Sequence, residues 1–347
     1  MKKLLFLLAA AILTSCSNNS ILRRAAAGNP YEVLVVCDEE FWNAPAGRAL
    51  EAVLDTDIPG LPQSERSFKI SRVEEENFSG MFKPFRNIIT VDINENLYTK
   101  TTFKYAEDPF ASPQVVLTIQ SPDRASFEEY VTKNSQVIVN FLTAVEMNRQ
   151  IESLQKDYNI AAFDTINKMF DCEFLVPKGL TGQKKGENFL WISNYNSPVP
   201  EIESFVIYSY PYTAVENFSK ESYIHTRDSV MKKNMPGGKP DQYIQTDSMF
   251  VEILETSHKD RYVQIARGLW YMENDMMGGP FVSHSMVDEI NGRIIVAEAF
   301  LYAPNRKKGN MMRKLEASLY TIKLPADKKI ENSLQIPEVL IEANTEE

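Results

Sequence analysis

The sequence predicts an α+β protein built from two halves, with mainly antiparallel sheets flanked by helices. Short β-branched runs cluster along the chain, and the helical stretches beside them do not alternate with strands in a regular βαβ pattern. The chain has 347 residues, of which 44% are hydrophobic, so it can supply two domains of ordinary size with buried cores. No repeat of fixed period is present, which argues against a solenoid or a propeller. We place the N-terminal half at 31–156 and the C-terminal half at 157–324.

The N-terminal half opens with a β-branched run at 31–37, which predicts a central strand, and an amphipathic stretch at 39–54 predicts a helix. Ser121 and Pro122 are typical of a helix start, where a capping hydroxyl precedes a proline in the first turn. They open a helix predicted at 122–155, which is long enough that we expect it to bend or break. The other strands of this half are predicted at 67–74, 87–93 and 114–120.

The C-terminal half repeats the same mixture in a different order. Asn291 and Gly292 form a dipeptide that favours a type I′ hairpin turn between two strands. Helices are predicted at 158–170, 215–234 and 307–322. Strands are predicted at 172–176, 188–193, 203–210, 241–256, 260–272, 281–290 and 293–302.

The first sixteen residues carry the strongest signal in the sequence. Lys2 and Lys3 precede an apolar run at 4–13 that is too short to span a bilayer but fits a secretory signal peptide. The run ends in Leu-Thr-Ser followed by Cys16, which resembles a bacterial lipobox. We therefore expect residues 1–15 to be cleaved and Cys16 to carry acyl chains that anchor the protein in a membrane.

The ends of the mature chain and its cysteines are less informative. Residues 16–30 lack periodicity and read as a flexible tether, and 325–347 reads as an acidic tail. Besides Cys16, the chain has Cys37 and Cys172, each inside an apolar run. The two remain candidates either for a disulfide in an oxidising compartment or for separate buried positions.

The charge of the chain excludes several classes of partner and cofactor. The formal net charge is −10, whereas binding to a nucleic acid or to anionic lipid headgroups needs a basic surface. With only three histidines and three cysteines, the chain has few of the side chains that bind zinc or iron–sulfur clusters. His225 and Asp228 are spaced to share a helix face, but two ligands do not make a metal site. We expect no cofactor and no nucleic-acid partner.

Two segments are candidates for a contact surface. Tyr208, Tyr210 and Tyr212 alternate along a predicted strand, so their rings share one face. Such a strip either binds peptides or sugars or packs beneath a helix as core. The second segment is a Met- and Gly-rich loop that joins two strands, where soft methionines suit an adaptable contact or fill the core. Its contact candidates are Trp270, Met276 and Met277.

The candidate catalytic residues do not form a recognisable catalytic set in the sequence. Ser283, His284 and Ser285 lie together, but neighbours on a strand point to opposite faces, and no nucleophile-elbow motif is present. With 47 acidic residues, carboxylate pairs of the kind that glycosidases use occur by chance. A hydrolase acting on peptidoglycan or polysaccharide remains the alternative to a non-enzymatic protein.

Several segments resemble a known family. They are the stretch Gly268–Trp270 with its continuation 272–283, the hairpin 288–292, the run 300–304 and the run 85–89. Together they are similar to an uncharacterised family of lipoproteins from the Bacteroidota, a domain of unknown function. The resemblance implies a protein of the cell envelope in that phylum, and it implies no activity and no functional residue.

These observations combine into one functional expectation. Residues 17–24 contain no acidic residue, which favours the periplasmic face of the outer membrane over surface export. We expect a lipid-anchored outer-membrane protein that acts as a non-enzymatic binding or accessory module of the envelope. Its partner would be an envelope protein or a glycan.

Overall fold

The structure is a computed structural model, and it describes residues 24–258 and 261–327. The strands are β1 (Glu32–Val36), β2 (Lys69–Val73), β3 (Asn87–Ile93), β4 (Thr102–Glu107), β5 (Val115–Ser121), β6 (Gly182–Gly186), β7 (Phe189–Ser193), β8 (Ile202–Pro211), β9 (Ile244–His258), β10 (Arg261–Met272), β11 (Gly278–Asp288) and β12 (Arg293–Tyr302). The α-helices are α1 (Glu39–Asn43), α2 (Pro45–Leu54), α3 (Arg124–Lys133), α4 (Ser135–Lys156), α5 (Ile160–Phe170), α6 (Lys220–Asn234) and α7 (Gly309–Leu319). Short 3₁₀ turns occupy Glu75–Asn77, Val215–Phe218 and Pro325–Asp327.

The first sheet has five strands in the order β2-β1-β3-β5-β4. β1 runs parallel to both β2 and β3, β3 runs parallel to β5, and β4 is antiparallel to β5. All five residues of β1 are buried, because helices cover one face and the segment containing Phe78, Phe82 and Phe85 covers the other. A strand buried on both faces is typical of parallel pairing. β2 lies at one edge of this sheet.

The second sheet has seven strands in the order β6-β7-β8-β12-β11-β10-β9, and every pairing in it is antiparallel. α5 and α7 contribute to the core on one face, and α6 packs on the other. The hairpin between β11 and β12 forms as predicted, but its last strand pair is Asp288 with Arg293. The loop is therefore 289–292 rather than a two-residue turn, and Gly292 supplies its positive φ of 60°.

The prediction of an α+β fold with mostly antiparallel pairing is confirmed over the two sheets together. The first sheet nevertheless has three parallel pairings, which the sequence analysis did not anticipate. The strand predicted at 172–176 is wrong, because this segment forms only a single bridge between Glu173 and Lys323. The helix predicted at 122–155 breaks at Asn134 into α3 and α4.

The two sheets meet through α4 and α7 and through the segment before β2. Met147 and Ile151 of α4 pack against Ala317 of α7. The Arg313 guanidinium lies 4.3 Å from the centre of the Tyr31 ring and donates a hydrogen bond to the carbonyl of Ser67. Residues from both halves therefore form one continuous seam.

Cys37 and Cys172 are both buried. Cys37 and Cys172 lie in two separate core clusters and do not form a disulfide. Cys16 lies outside the described residues, as do the predicted signal peptide, most of the tether and most of the acidic tail. No helix among the described residues is both long and apolar enough to cross a membrane.

Candidate functional site

A cavity of about 960 Å³ runs along β2, at the seam between the two halves. We call it the β2 cavity. Its walls come from both halves: the start of β1, the outer side of β2 from Lys69 to Arg72, Trp42 of α1, and Lys307 with Asn310 at the start of α7. Because β2 is the edge strand, the cavity borders its unpaired side.

The backbone of β2 offers hydrogen-bonding groups to this cavity. On the inner side, the Lys69 N–H donates to the carbonyl of Tyr31 at 2.9 Å, and the Val73 carbonyl accepts from Cys37 N–H at 3.1 Å. Backbone groups of a parallel strand alternate in direction along the chain. Residues 70 and 72 therefore direct their N–H and C=O groups away from β1, toward the open edge. An open strand edge of this kind can accept another extended chain.

Charged side chains at the rim of the β2 cavity are held in place. Lys69 Nζ lies 2.6 Å from a carboxylate oxygen of Glu32, which also accepts hydrogen bonds from the backbone and side chain of Asn29. Burial raises the pKa of Glu32, but the hydrogen bonds from Lys69 and Asn29 outweigh it and bring the pKa down to about 2. Glu32 is therefore an ionised, structural carboxylate at neutral pH.

Three aromatic side chains line the β2 cavity, and two of them, Tyr31 and Phe68, are buried. The guanidinium of Arg48 lies 5.6 Å from the centre of the Trp42 ring, and Trp42 also packs against the core of the N-terminal half. Sugar recognition commonly needs an open aromatic face on which a ring can stack. Because Tyr31 and Phe68 are buried and Arg48 lies over Trp42, the lining presents little open aromatic surface for a sugar ring, which favours a polypeptide over a glycan.

The C-terminal half reaches the cavity through the start of α7. The carboxylate of Glu65 accepts the backbone N–H groups of Lys308 at 2.6 Å and Gly309 at 3.0 Å. These donors have no partner within the helix, and a carboxylate there also interacts favourably with the helix dipole. Glu65 thus fixes α7 to the segment that leads into β2 and holds this wall of the cavity in position.

The predicted tyrosine strip does not form a shared exposed surface. Tyr208 is only 1% exposed and Tyr210 is partly buried, because α6 packs over this face of the second sheet. Tyr212 lies at the strand end beyond the helix and is 39% exposed. A helix covers most of the strip, so Tyr212 is the one exposed residue of the three.

The three contact candidates of the Met- and Gly-rich segment also do not share one surface. Trp270 is 3% exposed and donates through its indole N–H to the carbonyl of Leu301, so it belongs to the core. Met276 is 99% exposed at the loop tip, and Met277 packs at the margin of the core beneath α6. The structure therefore does not bring Trp270, Met276 and Met277 into one site.

The serine and histidine candidates face different sides of the second sheet. Ser283 lies beneath α6, where its hydroxyl is 2.7 Å from that of Tyr223. His284 lies on the side of α7, with its ring 4.7 Å from the ring of Tyr320. Burial lowers the pKa of His284 to about 3. No group of three or more metal-ligating side chains occurs in the part of the chain that the structure describes.

The comparisons with known proteins return families without an assigned function. Residues 159–321 match a domain of unknown function, DUF4837, and residues 26–155 match a second one, DUF8532. No curated protein matches the chain. A crystal structure from Bacteroides thetaiotaomicron VPI-5482 is similar at 10% identity over 44% of each chain, with a TM-score of 0.19. At that score the likeness supports no conclusion about fold or function.

Sequence analysis did not find the β2 cavity. Its walls come from positions far apart in the sequence, such as Asn29, Arg72 and Lys307, and the position of β2 at the sheet edge depends on strand order. The one available signal was the short, charged character of the segment 65–72, which is typical of an edge strand.

Proposed function

We propose that this protein is a lipid-anchored, non-catalytic binding module of the bacterial envelope, and that it binds an extended polypeptide segment along the open edge of β2. The observation that carries the proposal is the β2 cavity, which borders unpaired backbone groups and is large enough for a short strand. In this mode, backbone hydrogen bonds supply affinity and the cavity walls select side chains.

The anchor and its location are part of the same proposal. The segment from Lys2 to Cys16 supports lipidation at Cys16, and the absence of acidic residues in 17–24 supports the periplasmic face of the outer membrane. The binding module would then work on a tether close to that membrane. Incorporation of radiolabelled palmitate into the protein, abolished by Cys16→Ala, tests the anchor separately from the binding site.

The electrostatics of the cavity do not favour the alternative of a glycoside hydrolase. Such an enzyme needs one carboxylic acid with a raised pKa to protonate the leaving group. Glu32 has the opposite shift, and Glu65 is engaged by the start of α7. The third carboxylate of the lining, Glu51, forms an ion pair with Arg48, so each of the three is engaged within the protein.

The binding site is tested by site-specific photo-crosslinking in cells. A photo-reactive amino acid replaces Ser71, which lines the cavity, and the matched control replaces Lys184 on β6, the edge strand of the other sheet. We expect a discrete adduct with a partner protein from position 71 and none from position 184.

The same experiment includes the outcome that contradicts the proposal. Equal adducts from positions 71 and 184 would indicate nonspecific proximity, and an adduct that contains glycan without polypeptide would overturn the peptide assignment. Loss of the position 71 adduct in a Cys16→Ala background would show that the contact requires the anchor.

A further inference from the structure

A second open strand edge lies in the C-terminal sheet, apart from the residues that line the β2 cavity. β9 is the last strand of that sheet and pairs only with β10 among the described strands. It is 15 residues long and contains no lysine or arginine, whereas β6 at the opposite edge is five residues long and contains two lysines. Short, lysine-bearing edges resist pairing with other chains. β9 lacks that protection.

Exposed apolar side chains mark the same strand. Met249 is 86% exposed, and Phe250 and Leu254 are each 56% exposed. A register shift opposite Gly268 bulges the strand at 248–251, but beyond it every residue from Glu252 to His258 pairs regularly with β10. The regular stretch is therefore long enough to template one additional strand.

A groove flanks this stretch on the side of α7. It has a volume of about 350 Å³ and lies between β9, β10 and α4. Leu254 and Thr256 line it from β9, and Met147 lines it from α4. We call it the α4 groove. Its charged pair is already satisfied, since Arg267 donates both of its terminal nitrogens to the carboxylate of Glu316.

An aromatic pocket flanks β9 on the side of α6. It has a volume of about 440 Å³ and is lined by Tyr212, Phe218 and Tyr262 together with Glu255 of β9. The rings of Phe218 and Tyr262 are 4.9 Å apart, edge to face, so the pocket wall is firmly packed. Tyr212, the exposed member of the predicted tyrosine strip, thus contributes to this pocket.

The two cavities match the two faces of an added strand. Side chains of a strand alternate between faces, so one set of side chains on a strand beside β9 would meet the α4 groove and the other set the aromatic pocket. The acidic residues on β9 are Asp247, Glu252 and Glu255. The arginines of β10 are already engaged, Arg261 by Asp327 and Arg267 by Glu316. The surface is therefore acidic as well as apolar.

We propose that the edge of β9 binds an extended segment of a partner protein in which apolar residues alternate with lysine or arginine. The apolar residues, which all lie on one face of the added strand, would fill the α4 groove, and the basic residues on the other face would enter the aromatic pocket beside Glu255. The β2 cavity and the two cavities beside β9 share no lining residue, so a second segment could bind here while the β2 cavity proposed above is occupied.

The test uses the full chain in mild detergent and two fluorescent synthetic peptides, one of alternating valine and lysine and one of alternating valine and glutamate. We expect the valine–lysine peptide to bind and the valine–glutamate peptide to bind at least about tenfold more weakly. Leu254→Arg should weaken valine–lysine binding by roughly tenfold. Leu97→Arg is the matched control, since Leu97 is 70% exposed in the other half and should leave binding unchanged.

Three results would overturn the proposal. The first is equal binding of the two peptides, because the acidic residues of β9 would then not select basic residues in the partner. The second is unchanged binding by Leu254→Arg in a variant whose circular dichroism matches the parent. The third is a concentration-dependent dimer in sedimentation that Leu254→Arg abolishes while the peptide fails to bind, because a second copy of the chain would then occupy the edge.

Discussion

Arg227 and His284 are two ionisable residues that the fold of the C-terminal half buries. Arg227 and Glu298 are both fully buried, and two nitrogens of the guanidinium lie 2.8 and 2.7 Å from the two carboxylate oxygens. Burial raises the pKa of Glu298, and Arg227 acts against this rise by favouring the charged form. For His284, burial outweighs the attraction of Glu316 and keeps the imidazole neutral. The two residues therefore respond to mutation and pH in different ways.

We predict that Arg227→Met destabilises the protein by about 3–5 kcal/mol, because it leaves the buried carboxylate of Glu298 without its counter-charge. The double variant Arg227→Met with Glu298→Leu should recover much of that loss, since an apolar pair carries no desolvation cost. Urea unfolding followed by circular dichroism measures both. A single variant within about 1 kcal/mol of the parent would contradict the pairing.

We predict that His284 makes the fold sensitive to mild acid. Its pKa is lowered from 6.5 to about 3 in the folded protein, so below pH 6.5 only the unfolded chain takes up this proton. The group thus costs about 2 kcal/mol of stability between pH 7 and pH 5, and the cost continues to grow as the pH falls toward 3. In His284→Phe that part of the pH dependence should disappear. Identical pH slopes for the variant and the parent would contradict the assignment.

At the scale of elements, α7 depends on a capping group from a distant segment. Lys308 precedes the helix and makes no side-chain capping bond, and Glu65 takes over that role from the other half. Because this cap comes from the other half, the stability of α7 depends on the contact between the two halves. The wall of the β2 cavity and the start of α7 should therefore be disturbed together.

We predict that Glu65→Ala destabilises the protein by about 1–2 kcal/mol through the loss of this cap. Hydrogen exchange should accelerate at the first turn of α7 and also in the segment 65–67. Glu75→Ala, at an exposed acidic position of the same half, is the control and should change stability by less than about 0.5 kcal/mol. Faster exchange confined to one of the two segments would refute the coupling.

The elements with strong periodicity were predictable from the sequence, and the others were not for identifiable reasons. β3 and β12 lie at the predicted 87–93 and 293–302, because both are apolar runs with clear ends. β4 and β6 were missed because TFKYAE and GQKKG carry too little apolar character to stand out. The parallel pairing of β1 with β2 was missed because strand order is set by tertiary packing, which local patterns do not encode.

At the scale of the whole molecule, two sheets share one seam, and the β2 cavity exists only because they meet. The lining of this cavity includes Glu32 and Arg72 from the first half and Asn310 from the second. Sequence analysis could weigh single motifs such as Tyr208 and Tyr212, but it could not see that α6 covers one and leaves the other exposed. The candidate site thus depends on how distant segments pack together, whereas the prediction of a lipobox at Cys16 rests on local sequence alone.

The most direct test of the account compares Arg72→Pro with Arg72→Ala in the crosslinking experiment from position 71. Both variants lose the same side chain, but only proline removes the N–H that points to the open edge of β2, and it leaves the pairing with β1 intact. We predict that Arg72→Ala keeps the adduct and that Arg72→Pro lowers its yield roughly fivefold, the equivalent of about 1 kcal/mol for one hydrogen bond. Equal yields from the two variants would contradict strand addition at β2.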